Sequence, residues 1–141
     1  MKKPFFIIWI VTAGILIVGL LYSAKHTATP ETPPINEEVH VFYPLPNGVV
    51  NSPLEVRGEA RGSWFFEAVF PVRLLDANGQ VIQQVQAHAQ GDWQTESFVQ
   101  FTADFSFSPP KTDTGTLVFN NDNPSGLPEN DKELRMPVRF K

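Results

Sequence analysis

Val99-Gln100-Phe101-Thr102-Ala103-Asp104-Phe105-Ser106-Phe107 alternates without a break. Val99, Phe101, Ala103, Phe105 and Phe107 share one face, and Gln100, Thr102, Asp104 and Ser106 share the other. Successive strand side chains point to opposite sides of a sheet, so this nine-residue stretch reads as a strand with one buried and one wetted face. Leu134, Met136, Val138 and Phe140 alternate with Arg135, Pro137, Arg139 and Lys141 in the same way, and Leu54, Val56, Gly58 and Ala60 alternate with Glu55, Arg57, Glu59 and Arg61. Between these lies Asp76-Ala77-Asn78-Gly79, where Asn-Gly supplies the positive φ of a tight hairpin, so residues 72–75 are expected to pair antiparallel with residues 80–86.

Residues 39–43 and 116–119 complete about seven short strands, with turn signals at Pro44, Pro46-Asn47-Gly48, Pro109-Pro110 and Asn123-Pro124. No stretch of residues 39–141 carries a sustained helical stripe. The expectation is an all-β domain, a sandwich of two antiparallel sheets. Pro71 and Pro137 fall inside predicted strands; lacking an N–H to give to a ladder, they are expected at edges or bulges.

Outside this domain the pattern changes. Residues 5–22 form an apolar run broken only by Thr12, Gly14 and Gly19, and as a helix it spans roughly 27 Å, enough to cross a bilayer. A cleaved signal peptide is the competing reading, but its apolar core is normally shorter, and Tyr22-Ser23-Ala24 places a ring where a small residue is wanted. With no cysteine a lipoprotein anchor is excluded, as is any disulfide. Residues 1–24 are therefore read as a single membrane anchor or uncleaved signal, with Lys2 and Lys3 holding the N-terminus in the cytoplasm and the domain outside it. Residues 25–38, KHTATPETPPINEE, hold three prolines and three acids with only Ile35 of any apolar size; they read as a flexible stalk.

Setting Lys2 and Lys3 aside from the eleven basic residues leaves nine against fifteen acidic ones, so the exported part is mildly acidic and has no basic stripe for nucleic acid. The stretches WFFEAVFPVRLLDANG (64–79), AQGDWQTESFVQF (89–101) and NPSGLPENDKELRMPVRF (123–140), with the opening SPLEVRGEARG (52–62), together resemble the Gmad2 family, the immunoglobulin-like domain associated with bacterial spore germination proteins. The resemblance runs over residues 39–141 and implies an immunoglobulin-like sandwich, a bacterial extracytoplasmic location and an interaction role at the cell envelope. It offers no catalytic residues.

Candidate contact residues are aromatic. Trp64-Phe65-Phe66-Glu67-Ala68-Val69-Phe70 packs four rings into seven residues, more than one strand face can bury. They read either as an exposed binding patch centred on Trp64, Phe65 and Phe66, or as a plug in which Trp64 and Phe66 close the end of the sandwich while Phe65 packs under a loop. Asp92 and Trp93, in a loop before the strongest strand, are either a ligand platform or a core cap with Asp92 bonding nearby amides. Because both tryptophan segments flank the hairpin, they have the opportunity to meet. Residues 120–131 are rich in side-chain oxygens, making Asp122 and Asp131 weak calcium candidates, but the same residue types close loops.

His40 and His88 both fall on polar strand phases without a nucleophile or a ligand partner at recognisable spacing, and no phosphate loop, nucleophile elbow or metalloprotease motif occurs. The chain is read as a non-enzyme without cofactor. Its expected role is a membrane-anchored interaction module that binds an envelope protein or a cell-wall polymer. The alternatives are a bracing subunit of a membrane complex and a calcium-stiffened structural domain.

Overall fold

Among the described residues eight strands form in the order β1 (Val39–Tyr43), β2 (Val49–Val50), β3 (Leu54–Arg61), β4 (Val69–Asp76), β5 (Val81–Ala89), β6 (Phe98–Phe105), β7 (Thr114–Asn120) and β8 (Glu133–Phe140). The computed structural model describes residues 36–141. The anchor assigned to residues 1–24 and most of the stalk lie outside the described residues. The stalk's last three assigned residues are tied into the domain: Asn36 Oδ1 accepts the amides of Glu38 and Val39 at 2.8 and 3.2 Å, and Glu38 O accepts the Arg61 amide at 2.8 Å.

The alternation seen in the sequence becomes burial. In β6 Val99, Phe101, Ala103 and Phe105 are buried, in β3 Leu54, Val56, Gly58 and Ala60, and in β8 Leu134, Met136 and Val138. The ladders run β1-β3-β6-β5-β4-β7-β8-β2 in one continuous sheet. Two separate sheets were expected. The halves are joined by β5, which pairs with β4 from Val69↔His88 to Leu75↔Val81 and, at its end, with β6 at His88↔Thr102 and Ala89↔Phe101.

The sheet curls over itself around one core. Strands three places apart in a flat sheet lie about 14 Å apart, yet the rings of Phe101 on β6 and Phe119 on β7 are 6.2 Å apart. Phe70 on β4 meets Phe101 edge-on at 5.0 Å, and Phe107 meets Phe140 at 6.1 Å. Such edge-to-face contacts match the positive edge of one ring to the negative face of the next. Residues 39–50 bind both edges, since β1 pairs antiparallel with β3 and, after a turn with a cis Tyr43-Pro44 bond, β2 pairs parallel with β8.

Three local expectations are adjusted. The β4–β5 turn is wider than a two-residue hairpin: Gly79 N–H donates to Asp76 O at 3.0 Å and Asp76 N–H to Gln80 O at 2.9 Å, and of Asn78 and Gly79 only Gly79 takes a positive φ, +78°. Pro71 lies in an interior strand, but where the β4–β7 ladder has ended, since that pairing begins at Val72↔Phe119. Pro137 lies on β8 with its nitrogen toward the outer edge: Arg139 N–H donates that way to Gly48 O, and residues two apart point alike. Neither proline therefore interrupts a ladder.

Candidate functional site

Regular alternation would send the side chain of residue 43 back toward the core after Val39 and Val41. It does not, because β1 carries a bulge: Val41 lies opposite Gly58 and Tyr43 opposite Arg57, leaving Phe42 as an extra residue. A bulge re-aims side chains, and here Phe42 and Tyr43 both remain exposed, at 51% and 44%. With Leu45 and Val49 they make four of the seven exposed large apolar side chains among the described residues, all within residues 42–49. Of these, Phe42 and Tyr43 are consecutive and border one depression, and exposed apolar side chains gathered in one place mark contact surfaces more often than the same side chains scattered.

Beside these rings lies a shallow depression of about 360 Å³ on the outer face of β1, β3 and β6, bordered by Phe42, Tyr43, Arg57, Gln90, Gln100 and Thr102. The Arg57 guanidinium lies 5.9 Å from the Tyr43 ring centre, and its Nε is 3.2 Å from Glu55 Oε1. Gln90 Nε2 donates to His88 O and to Thr102 Oγ1, both at 3.1 Å, so this amide is held in place. Further along the same face, His40 stacks on Phe98 at 4.6 Å, the Arg61 guanidinium covers that ring at 4.1 Å, and His40 Nδ1 is 2.9 Å from Glu59 Oε1.

The aromatic residues singled out in the sequence are placed differently. Trp64 and Phe65 are buried, both packing edge-on against Phe70 at 5.9 and 5.0 Å. Phe66 is 40% exposed, so the ring that stays outside is Phe66 and the ring that fills the end of the core with Trp64 is Phe65. The reason is a turn: Phe66 and Val69 exchange backbone bonds of 3.0 and 3.2 Å, with Glu67 and Ala68 both left-handed at φ +50° and +66°. Trp93 is half-buried against the core, and Asp92 Oδ1 accepts the Gln94 amide at 2.9 Å. The two tryptophan segments do meet, through Gly62, whose α-carbon faces the carbonyls of Trp93 and Thr95.

Asp122 and Asp131 belong to a loop closed by its own side chains. Asp122 N–H donates to Trp64 O at 2.9 Å, and Asp131 Oδ1 accepts from Asn123 Nδ2 at 2.8 Å. Asn121 Oδ1 accepts the Lys132 amide at 2.7 Å and its Nδ2 donates to Asn130 O at 3.0 Å. Among the described residues no three His, Asp or Glu side chains converge as metal ligands would. His40 and His88 are both exposed.

Two carboxyl groups are electrostatically distinct. Glu38 is held below the usual glutamate range, chiefly by the hydrogen bond from Lys132; partial burial opposes this, and the Trp64 indole N–H adds to it. For Glu133 partial burial pushes upward, but hydrogen bonds from Arg135 and Asn120 and the charges of Arg135 and Arg73 outweigh it, so the net direction is again down. Glu133 ties Arg73 and Arg135 together at 3.5 and 3.0 Å, and these two arginines flank Val118, which is fully buried although it lies on the outer face.

The strand order and the single core define an all-β domain built on one curled sheet. The Gmad2 family, immunoglobulin-like domain of bacterial spore germination, matches residues 38–127, and the chain belongs to this family. The match begins at Glu38, just before β1, and ends before β8. No curated protein and no solved structure matched the chain.

Proposed function

We propose that the protein is an interaction module of the bacterial cell envelope and not an enzyme. Residues 5–22 hold it in the membrane with the N-terminus in the cytoplasm, the proline-rich segment lifts the domain away, and the domain binds a protein or cell-wall partner. The observation that carries this reading is the β1 bulge, which leaves two consecutive rings, Phe42 and Tyr43, facing solvent where alternation would have buried one. Family membership supports the envelope setting. The contact surface is thus centred on Phe42 and Tyr43 and the adjoining face, and not on Trp64 and Phe65, which the core consumes.

The test is a photo-reactive phenylalanine analogue at position 42 of the full chain in living cells, with the same analogue at Phe66 as the exposed control. A discrete adduct at position 42 and none at 66 is expected. Absence of any adduct at 42, in protein or in wall material, overturns the reading.

A further inference from the structure

We infer that the depression beside Phe42 and Tyr43 takes a carbohydrate, a chain of N-acetylhexosamines; this rests on the reading of those rings as a contact surface and names what they touch. A sugar ring has two kinds of surface. Its faces present C–H bonds with slight positive charge, which lie well on the negative face of an aromatic ring. Its rim presents hydroxyl and acetamido groups, which need neutral donors and acceptors. The depression offers both: Phe42 and Tyr43 on one flank, and Gln90, Gln100 and Thr102 on the other. At about 360 Å³ it falls at the small end of the roughly 300–1,000 Å³ range of ligand sites.

The polar flank is prepared in advance. Gln90 is fixed through Nε2 to His88 O and Thr102 Oγ1, so binding does not have to immobilise it. Other ligand classes fit less well. A phosphate-rich or strongly acidic polymer requires converging cations, whereas Arg57 is the one charged residue lining the depression and is already paired with Glu55. An extended peptide gains most of its affinity by adding to a free strand edge, but the floor of the depression crosses strands β3 and β6, fully paired from Leu54↔Phe105 to Arg61↔Phe98, and where it reaches the edge strand β1 the bulge at Phe42 breaks the regular row of backbone groups that a peptide would pair with. Recognition there must come from side chains.

The test uses the full-length chain in detergent micelles with N-acetylglucosamine hexamer by titration calorimetry and protein-free peptidoglycan sacculi by co-sedimentation. Saturable binding is expected, weakened at least tenfold by Phe42→Ala, Tyr43→Ala or Gln100→Ala and unchanged by Phe66→Ala, with melting temperatures confirming that every variant folds. No binding to either probe, or binding that these three substitutions leave intact, overturns the inference. If sugar binding is absent while the position-42 cross-linker traps a protein, the glycan inference falls and the contact surface stands. If both are absent, both fall.

Discussion

Glu38 Oε1 lies 2.6 Å from Lys132 Nζ across 94 residues of sequence, while Glu38 Oε2 accepts the Trp64 indole N–H at 3.3 Å. One carboxylate thus fastens the point where the chain enters the domain to the start of the last strand and to the largest buried ring.

Glu38→Gln keeps the shape but removes the charge. Because the side chain is 36% exposed, solvent screens the pair, and the expected loss at neutral pH is about 0.5–1 kcal/mol, near the top of the range for surface pairs. The acid dependence is more diagnostic. The carboxyl is held below its ordinary value of 4.5, so the stabilisation is fully present above that value and fades as pH falls through the lowered one. Urea titrations at pH 7 and at progressively lower pH should show wild type and Glu38→Gln drawing together once the pH has fallen below 4.5. Parallel curves across that range would contradict this role.

The tryptophan cluster separates core from surface. Trp64→Ala empties a fully buried site and should cost about 3–5 kcal/mol. Phe66→Ala, two residues away and 40% exposed, should stay within about 0.5 kcal/mol. Thermal unfolding of the two variants side by side decides it: similar losses would mean that Phe66 is also part of the packing.

Strand interiors were legible because their physics is local. The alternations of β3, β6 and β8 needed no partner to interpret, and burial followed them residue by residue. What escaped was set by pairing. Phe42 and Tyr43 look like an ordinary strand end in the sequence, and only the register against Gly58 and Arg57 shows the bulge that exposes both. Val118 breaks the β7 alternation for a similar reason, since Arg73 and Arg135 from the neighbouring strands flank it. The four-ring cluster is too crowded for one face, but which ring stays outside depends on the left-handed turn at Glu67 and Ala68, and no Asn-Gly announces that turn.

Gly62 is where the two tryptophan segments touch. A β-carbon there would sit 2.5 Å from Trp93 O and closer still to Thr95 O, both backbone atoms that no rotamer change can move. Gly62→Ala should therefore cost roughly 3 kcal/mol, the upper end for overpacking. Gly91→Ala, with nothing within 4 Å of its new methyl group, serves as the control and should be nearly neutral. A neutral Gly62→Ala in chemical denaturation would show that the 91–97 loop gives way.

The turn between Phe66 and Val69 predicts a gain in stability. Its two central residues, Glu67 and Ala68, take φ of +50° and +66°, the backbone of a type I′ turn, for which Asn-Gly is the favoured pair. Ala pays a steric cost in this region that Gly does not, offset in part by the greater freedom of Gly in the unfolded chain. The Ala68 carbonyl also accepts the Ala89 amide at 2.9 Å, and this bond requires no side chain. Ala68→Gly should therefore stabilise by about 0.5–1 kcal/mol, and Glu67→Asn with Ala68→Gly by more. The measurement is the midpoint of urea unfolding at unchanged m-value. A fall in midpoint for Ala68→Gly would mean that residue 68 does not hold a left-handed conformation in solution, and with it would go the account of why Phe66 faces outward.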